Sequence, residues 1–159
     1  MNTSLDSHIH HKSINAAKPV RVFLAEDDEE MRSLVSSTLR NDGYEVVEAT
    51  NGRDMLYRIR DAVYGTIAQP DVIVMDVKMA GYSGLAVLAT LQRARWSTPV
   101  ILMTAFADDD VRMASTELGA ALLLDKPFDI EVLQTAVGLL SPRPPPSSSE
   151  KKDARERRS

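Results

Sequence analysis

Between residues 20 and 140, short apolar runs alternate with stretches in which apolar residues recur every three or four positions. The runs are rich in Val, Ile and Leu, which is typical of strands buried on both faces of a parallel sheet. The stretches between them have the spacing of amphipathic helices. We therefore predict five strands, at residues 20–25, 44–49, 71–76, 99–105 and 121–125.

A predicted helix follows each strand. The first four helices are expected to bury Met31, Leu34, Val35, Thr38 and Leu39; Met55, Ile59 and Val63; Leu85, Leu88 and Leu91; and Val111, Ala114 and Leu118. The fifth helix covers residues 129–140. Asp28, Asn51 and Asp108 are expected to cap helices one, two and four. The alternation predicts an α/β fold, a doubly wound five-stranded parallel sheet flanked by five helices.

Composition and charge set limits on this picture. A hydrophobic content of 43% and a net charge of -4 are ordinary for a soluble globular protein. The absence of cysteine excludes disulfides and thiolate chemistry. No apolar run approaches the roughly 20 residues of a membrane span, and the first residues lack the pattern of a secretory signal. A cytoplasmic location without membrane contact is the expectation.

Both ends of the chain differ from its middle. Residues 1–18 have no apolar period, and residues 141–159 are rich in Pro, Ser and charge. We predict a domain at 19–140 between two disordered tails. His8, His10 and His11, in the first tail, form a weak set of metal ligands without a fold to hold them. Because the basic excess lies in the tails, the middle is acidic, which makes nucleic acid an unlikely partner.

Polar residues end four of the predicted strands, at Glu26-Asp27, Asp76, Thr104 and Lys126. The carboxyl ends of parallel strands lie at one edge of the sheet, so these side chains should gather there. A cluster of carboxylates without His or Cys suits Mg²⁺, which prefers oxygen ligands. Aspartate is also a known nucleophile toward phosphoryl groups. The pattern therefore indicates phosphoryl transfer to Asp76, with Mg²⁺ and Lys126 neutralising charge.

Four segments occur in the order expected of a known family: "VFLAEDDEEMR", "DVIVMDVKMAGYSG", "VILMTA" and "LLLDKPF". In these segments the chain resembles the receiver domains of bacterial two-component response regulators, which have a flavodoxin-like sheet. The resemblance implies that Asp76 is the phospho-acceptor. It implies that Glu26, Asp27, Asp76 and the backbone carbonyl of Lys78 hold Mg²⁺. Further implied roles are phosphoryl binding and switching by Thr104, Ala105 and Lys126, with a cis peptide before Pro127.

The same resemblance implies partners and a mode of action. The phosphoryl donor would be a histidine kinase or a histidine phosphotransfer protein. The chain would then act as a stand-alone response regulator, without a separate catalytic domain, by binding a downstream protein or forming a homodimer. Two positions depart from the family pattern: Ala80 replaces a usual proline, and Leu123 replaces a frequent aromatic switch residue. Leu123 leaves open the alternative of a receiver-like scaffold or adaptor that phosphorylation does not regulate.

A surface for output is also indicated by the fifth helix. Val132 and Leu139 lie on a flank between its polar stripe and its buried stripe. Met113 lies off the buried stripe of helix four. Exposed apolar residues that cluster usually mark a contact site. We therefore expect a partner or a second copy to bind the face formed by helix four, strand five and helix five.

Overall fold

Strands and helices alternate through the whole of the described chain, in the predicted order. The computed structural model describes residues 18–142. The predicted tails, including His8, His10 and His11, lie outside this range except for residues 18, 141 and 142. The elements are β1 (Arg21–Ala25), α1 (Glu29–Asn41), β2 (Glu45–Ala49), α2 (Gly52–Val63), β3 (Val72–Asp76), α3 (Gly84–Arg93), β4 (Val100–Thr104), α4 (Asp109–Glu117), β5 (Leu122–Asp125) and α5 (Ile130–Leu140).

The five strands form one parallel sheet in the order β2-β1-β3-β4-β5. The predicted doubly wound five-stranded sheet with five helices is confirmed. The chain leaves β1 toward β2 on one side and returns to β3 on the other, so the strand order reverses beside β1. Such a reversal opens a crevice at the carboxyl ends of the strands. Glu26 follows β1 and Asp76 ends β3, so both lie at this crevice.

Helices cover both faces of the sheet. One apolar cluster joins α1 and α5 to the sheet through Val35, Leu39 and Leu133. A second cluster joins α2, α3 and α4 to the opposite face through residues such as Met55 and Val87. All five residues of β3 and all five of β4 are buried, because these central strands have a helical layer on each side.

The predicted helix caps are confirmed. The Asp28 carboxylate accepts hydrogen bonds from the backbone N–H groups of Glu30 and Met31, at 2.9 and 3.1 Å. The Asn51 side chain accepts one from Asp54, and Asp108 accepts one from Val111. Each cap satisfies a backbone donor that has no partner within its own helix.

The apolar stripes of three helices differ from the prediction. Leu34 and Val63, predicted to be buried, are 51% and 55% exposed. Ser36 is buried in α1 together with the predicted Val35 and Leu39, and Ala62, next to Val63, is buried in α2. Periodicity locates a stripe, but the rotation of the packed helix decides which residue at its edge faces the sheet. In α4 the predicted Val111, Ala114 and Leu118 are only half-buried, and Ser115 is the buried residue.

Candidate functional site

Lys126 joins the ends of three strands. Its Nζ atom donates to Glu26 Oε2 and to Asp76 Oδ2, each at 2.8 Å. Glu26 is 1% exposed and Asp76 is 6% exposed, so both carboxylates are largely removed from water. One ammonium therefore compensates two buried carboxylates that come from β1 and β3, while the lysine itself follows β5.

The electrostatics of the site follow from this geometry. Burial raises the pKa of Glu26, with the Asp76 carboxylate adding to the rise, although the hydrogen bond from Lys126 opposes both. Burial alone would lower the pKa of Lys126. The hydrogen bonds to Asp76 and Glu26 outweigh it, so the pKa of Lys126 is raised and the ammonium stays charged.

Asp27 completes an acidic cluster. Ligand atoms of Glu26, Asp27 and Asp76 lie within 4.8 Å of one another. Asp27 is exposed, unlike the other two, so this side of the cluster opens to solvent. Three carboxylates against one lysine leave the cluster negative. A hard divalent cation with oxygen ligands, such as Mg²⁺, fits both this charge and the absence of nitrogen and sulfur ligands within the cluster.

The loop after β3, residues 77–83, is folded tightly around Asp76. The Lys78 backbone N–H donates to Asp76 Oδ1 at 3.0 Å. The Gly84 N–H donates to the Val77 carbonyl at 2.9 Å. A Cβ on Gly84 would lie 2.3 Å from the Asp76 carbonyl oxygen, so only glycine allows α3 to start this close to β3.

Thr104 and Ala105 border the same space from β4. Thr104 is buried, and its hydroxyl oxygen accepts a hydrogen bond from the Phe106 N–H at 3.1 Å. An open cavity of ≈ 730 Å³ lies over Asp76. Asp27, Asp76, Val77, Lys78, Ser83, Thr104, Ala105, Phe106, Asp108 and Val111 line it. The predicted Asp27, Asp76, Lys78, Thr104 and Ala105 thus border one cavity, and Lys126 bonds both Asp76 and Glu26 beside it. The predicted cis peptide between Lys126 and Pro127 is present.

Comparison with known proteins agrees with this arrangement. Residues 22–138 match the model of the response regulator receiver domain family. The chain belongs to this family. Receiver domains act in two-component signalling with histidine kinases or phosphotransfer proteins, and they bind Mg²⁺ at an acidic pocket. The predicted family and its keywords, response regulator and two-component system, are confirmed.

Curated relatives of this receiver domain differ in length. Sporulation initiation phosphotransferase F of Bacillus subtilis is 32% identical over 117 residues, which are 74% of this chain and 90% of the relative. The regulatory protein AtoC of Escherichia coli is also 32% identical over 117 residues, but they are 74% of this chain and only 24% of AtoC. The chain therefore spans about a quarter of one relative and nearly the whole of the other.

Solved receiver domains share the fold. The Vibrio cholerae chemotaxis protein CheY4 has a TM-score of 0.68 and 27% identity, covering 77% of this chain and 98% of CheY4. The response regulator TrrA of Thermotoga maritima, solved in complex with Mg²⁺-BeF, has a TM-score of 0.66 and 26% identity. That comparison covers 76% of this chain and 98% of TrrA.

The remaining predicted residues lie away from the cavity. Leu123, in β5, is half-buried and packs against the cluster beneath α2, α3 and α4. Met113, Val132 and Leu139 are 61%, 46% and 80% exposed. Their exposure is compatible with the predicted output surface, and their role stays a prediction. Among the described residues, no helix is both long enough and apolar enough to cross a membrane.

Sequence reasoning missed two contacts that hold the site. The Arg32 guanidinium donates to the backbone carbonyl of Glu26 at 3.0 Å and lies 3.5 Å from Glu48. Lys126 also pairs with Glu26, which the sequence placed only in the metal set. Arg32 lies on α1 near a strand end, but periodicity does not reveal which backbone group an arginine reaches. The contact between Lys126 and Glu26 spans 100 positions and depends on the packing of distant elements, whereas the hydrogen bond between Arg32 and the Glu26 carbonyl spans only six positions.

Proposed function

We propose that this chain is a stand-alone response regulator that accepts a phosphoryl group on Asp76 in a Mg²⁺-dependent reaction. The observation that carries the proposal is the buried Asp76 carboxylate, which is 2.8 Å from Lys126 Nζ and clustered with Glu26 and Asp27. The sporulation initiation phosphotransferase supports the stand-alone role, because the match covers 90% of that relative. The TrrA complex with Mg²⁺-BeF supports the metal.

The chemistry follows from charge. A carboxylate oxygen of Asp76 would bond to the phosphorus of a phosphohistidine, while the P–N bond breaks and its electron pair leaves with the imidazole. The incoming phosphoryl group is an anion, and it approaches a cluster of three carboxylates. Lys126 alone cannot offset that charge. Glu26, Asp27, Asp76 and the Lys78 carbonyl would hold Mg²⁺, which would supply the missing positive charge and open coordination positions for phosphoryl oxygens.

Three further side chains would respond to the phosphoryl group. Lys126 would transfer a hydrogen bond from Asp76 to a phosphoryl oxygen. The Thr104 hydroxyl, which keeps its own hydrogen while accepting from Phe106, would donate to another. Ala105 lies beside Thr104 at the cavity and would move with it. Movement of these residues would pass to α4 and α5, which follow β4 and β5 in the chain.

A groove beside Lys126 supports docking of the phosphohistidine donor. Its volume is ≈ 560 Å³, and its lining includes Met31 and Leu34 from α1 and Phe128 and Ile130 from the start of α5. A donor must bring its phosphorus to Asp76. Lys126 lines this groove and donates a hydrogen bond to Asp76, so a protein bound in the groove would lie next to Asp76. We propose that a histidine kinase or histidine phosphotransfer protein inserts apolar side chains here.

Intact mass after treatment with acetyl phosphate and Mg²⁺ tests the acceptor. Wild-type protein should gain one phosphoryl group that hydroxylamine removes, and Asp76→Asn should gain none. Omitting Mg²⁺ should prevent the gain in the wild-type protein. An unmodified wild type would favour the alternative of a scaffold that phosphorylation does not regulate, and a modified Asp76→Asn protein would place the acceptor elsewhere.

A matched pair of variants tests donor docking. Leu34→Glu places a charge in the groove, whereas Val63→Glu places one at a site on α2 with similar exposure, 55% against 51%. With a histidine kinase that phosphorylates the wild type, Leu34→Glu should slow transfer about tenfold, because disrupting one of the few residues that anchor an interface costs more than about 1 kcal/mol and about 1.4 kcal/mol corresponds to tenfold. Acetyl phosphate should modify both variants as it does wild type. Equal kinase rates for the two variants would contradict docking at this groove.

A further inference from the structure

The start of α2 touches the loop that follows Asp76. Gly52, the first residue of α2, is buried, and a Cβ built on it would lie 1.9 Å from the carbonyl oxygen of Tyr82. The carbonyl carbon and Cβ of Tyr82 would lie at 2.8 and 2.9 Å. The obstacle is therefore backbone, which cannot rotate away as a long side chain can. No side chain larger than hydrogen fits at Gly52 in this arrangement.

Space, not backbone conformation, requires this glycine. Gly65, at the other end of α2, has a φ of +76° with nothing within 4 Å of a Cβ position. At Gly65 a side chain would be strained but would touch nothing. Gly52 presents the reverse situation, since its backbone lies outside the left-handed region and its hydrogen faces Tyr82. Substitution of Gly52 therefore tests the effect of a clash with Tyr82, and substitution of Gly65 tests the effect of backbone strain alone.

A side chain added at Gly52 would displace the loop of residues 77–83 and not the start of α2. The beginning of α2 is held by the Asn51 cap, by the Met55 N–H bonded to the Asn51 carbonyl, and by a 3.0 Å hydrogen bond from the Thr50 N–H to Asp54. In the loop, by contrast, residues 78 and 80–82 are exposed, and only Val77 and Met79 are buried. A side chain at Gly52 would push the Tyr82 carbonyl outward.

That displacement would reach the acceptor. Tyr82 is two residues from Gly84, which packs against the Asp76 carbonyl, and four residues from Lys78, whose N–H donates to Asp76 Oδ1. We infer that Gly52 is a positioning residue for the Asp76 site. Because it has no side chain, the start of α2 can pack directly against the loop of residues 77–83 and hold that loop in place. This inference rests on the proposed function, since the loop carries the Lys78 carbonyl assigned to Mg²⁺.

Gly52→Ala, with Gly65→Ala as the control, tests the inference. The Mg²⁺ dissociation constant, measured by calorimetry, should rise about tenfold in Gly52→Ala, as is usual when a group that orients metal ligands is lost. Hydrogen exchange should quicken at the amides of residues 77–83. Gly65→Ala should lose stability through backbone strain and keep both the wild-type Mg²⁺ affinity and the wild-type exchange of the loop.

Each other outcome has a distinct meaning. A wild type that binds neither Mg²⁺ nor phosphoryl from acetyl phosphate would overturn the proposed function. A wild type that binds both, together with a Gly52→Ala protein of unchanged affinity and unchanged loop exchange, would overturn the role of Gly52 alone. An unfolded Gly52→Ala protein would also overturn it, because the contact would then serve the stability of the whole domain and not the position of the loop.

Discussion

At the scale of single residues, Lys126 links the ends of β1, β3 and β5. It connects residues that are 50 and 100 positions away in the chain, Asp76 and Glu26, through hydrogen bonds of 2.8 Å. An ion pair of this kind is worth little when exposed, but removing one partner of a buried pair leaves uncompensated charge. Both carboxylates are buried, so the lysine is needed for their coexistence in the absence of metal.

We therefore predict that Lys126→Ala lowers the free energy of unfolding in EDTA by about 3 kcal/mol. Glu26, whose pKa burial already raises, would take up a proton in the variant, which limits the loss. Mg²⁺ should restore part of the stability because it replaces the missing charge. Urea unfolding with and without Mg²⁺ measures both effects, and Lys126→Arg, which keeps the charge, is the control. A Lys126→Ala protein as stable as wild type in EDTA would contradict the pairing.

At the scale of elements, α5 combines a buried stripe with an exposed apolar flank. Leu133, Ala136 and Val137 pack against the sheet, while Val132 and Leu139 are 46% and 80% exposed. On the neighbouring elements, Leu122 of the edge strand β5 and Met113 of α4 are also exposed. Water-exposed apolar residues on three consecutive elements favour a contact surface, so we propose the face of α4, β5 and α5 as the output surface for a downstream protein or a second copy.

Charge substitutions test this surface. Val132→Glu combined with Leu139→Lys should leave the fold and Asp76 phosphorylation intact, because neither residue contributes to the core. Phosphorylation-dependent association, measured by light scattering or pull-down, should be lost. If the double variant unfolds, the flank belongs to the core. If its association equals that of wild type, the output surface lies elsewhere.

At the scale of the whole molecule, metal binding should be coupled to folding. The residues that would hold Mg²⁺ come from β1, β3 and the loop after β3, and they meet only in the folded sheet. A ligand that binds the folded state alone stabilises it, by about 2.7 kcal/mol at a concentration 100 times the dissociation constant. We predict that adding saturating Mg²⁺ raises the midpoint of thermal unfolding relative to EDTA.

Adjacent aspartates provide the control for this prediction. Asp27→Ala should remove most of the increment that Mg²⁺ adds to the midpoint of thermal unfolding, because it deletes a proposed ligand. Asp28→Ala should lower stability by about 1 kcal/mol in either condition, because it deletes the cap of α1, and it should keep the increment. An increment that survives in Asp27→Ala but is lost in Asp28→Ala would show that the metal ligands are misassigned.

Much of the fold, and the clustering of the candidate site residues, could be predicted from the sequence. Continuous apolar runs and period-3.6 patterns are local properties, so strands, helices and the caps at Asp28, Asn51 and Asp108 follow from neighbouring residues. Once the strands are parallel, their carboxyl ends share an edge whatever their order. Glu26, Asp27, Asp76, Thr104 and Lys126 could therefore be assigned to one site without knowledge of the packing.

Only the tertiary structure decided how these residues meet. The strand order places β1 between β2 and β3, and this order sets Glu26 beside Asp76 and within reach of Lys126. Helix rotation against the sheet decided that Leu34 is exposed and lines the groove beside Lys126, although its spacing is that of a core residue. The contact between Gly52 and Tyr82 likewise joins two segments that no local pattern relates. Local periodicity reports which residues prefer burial, but distances between elements are set by packing that involves the whole chain.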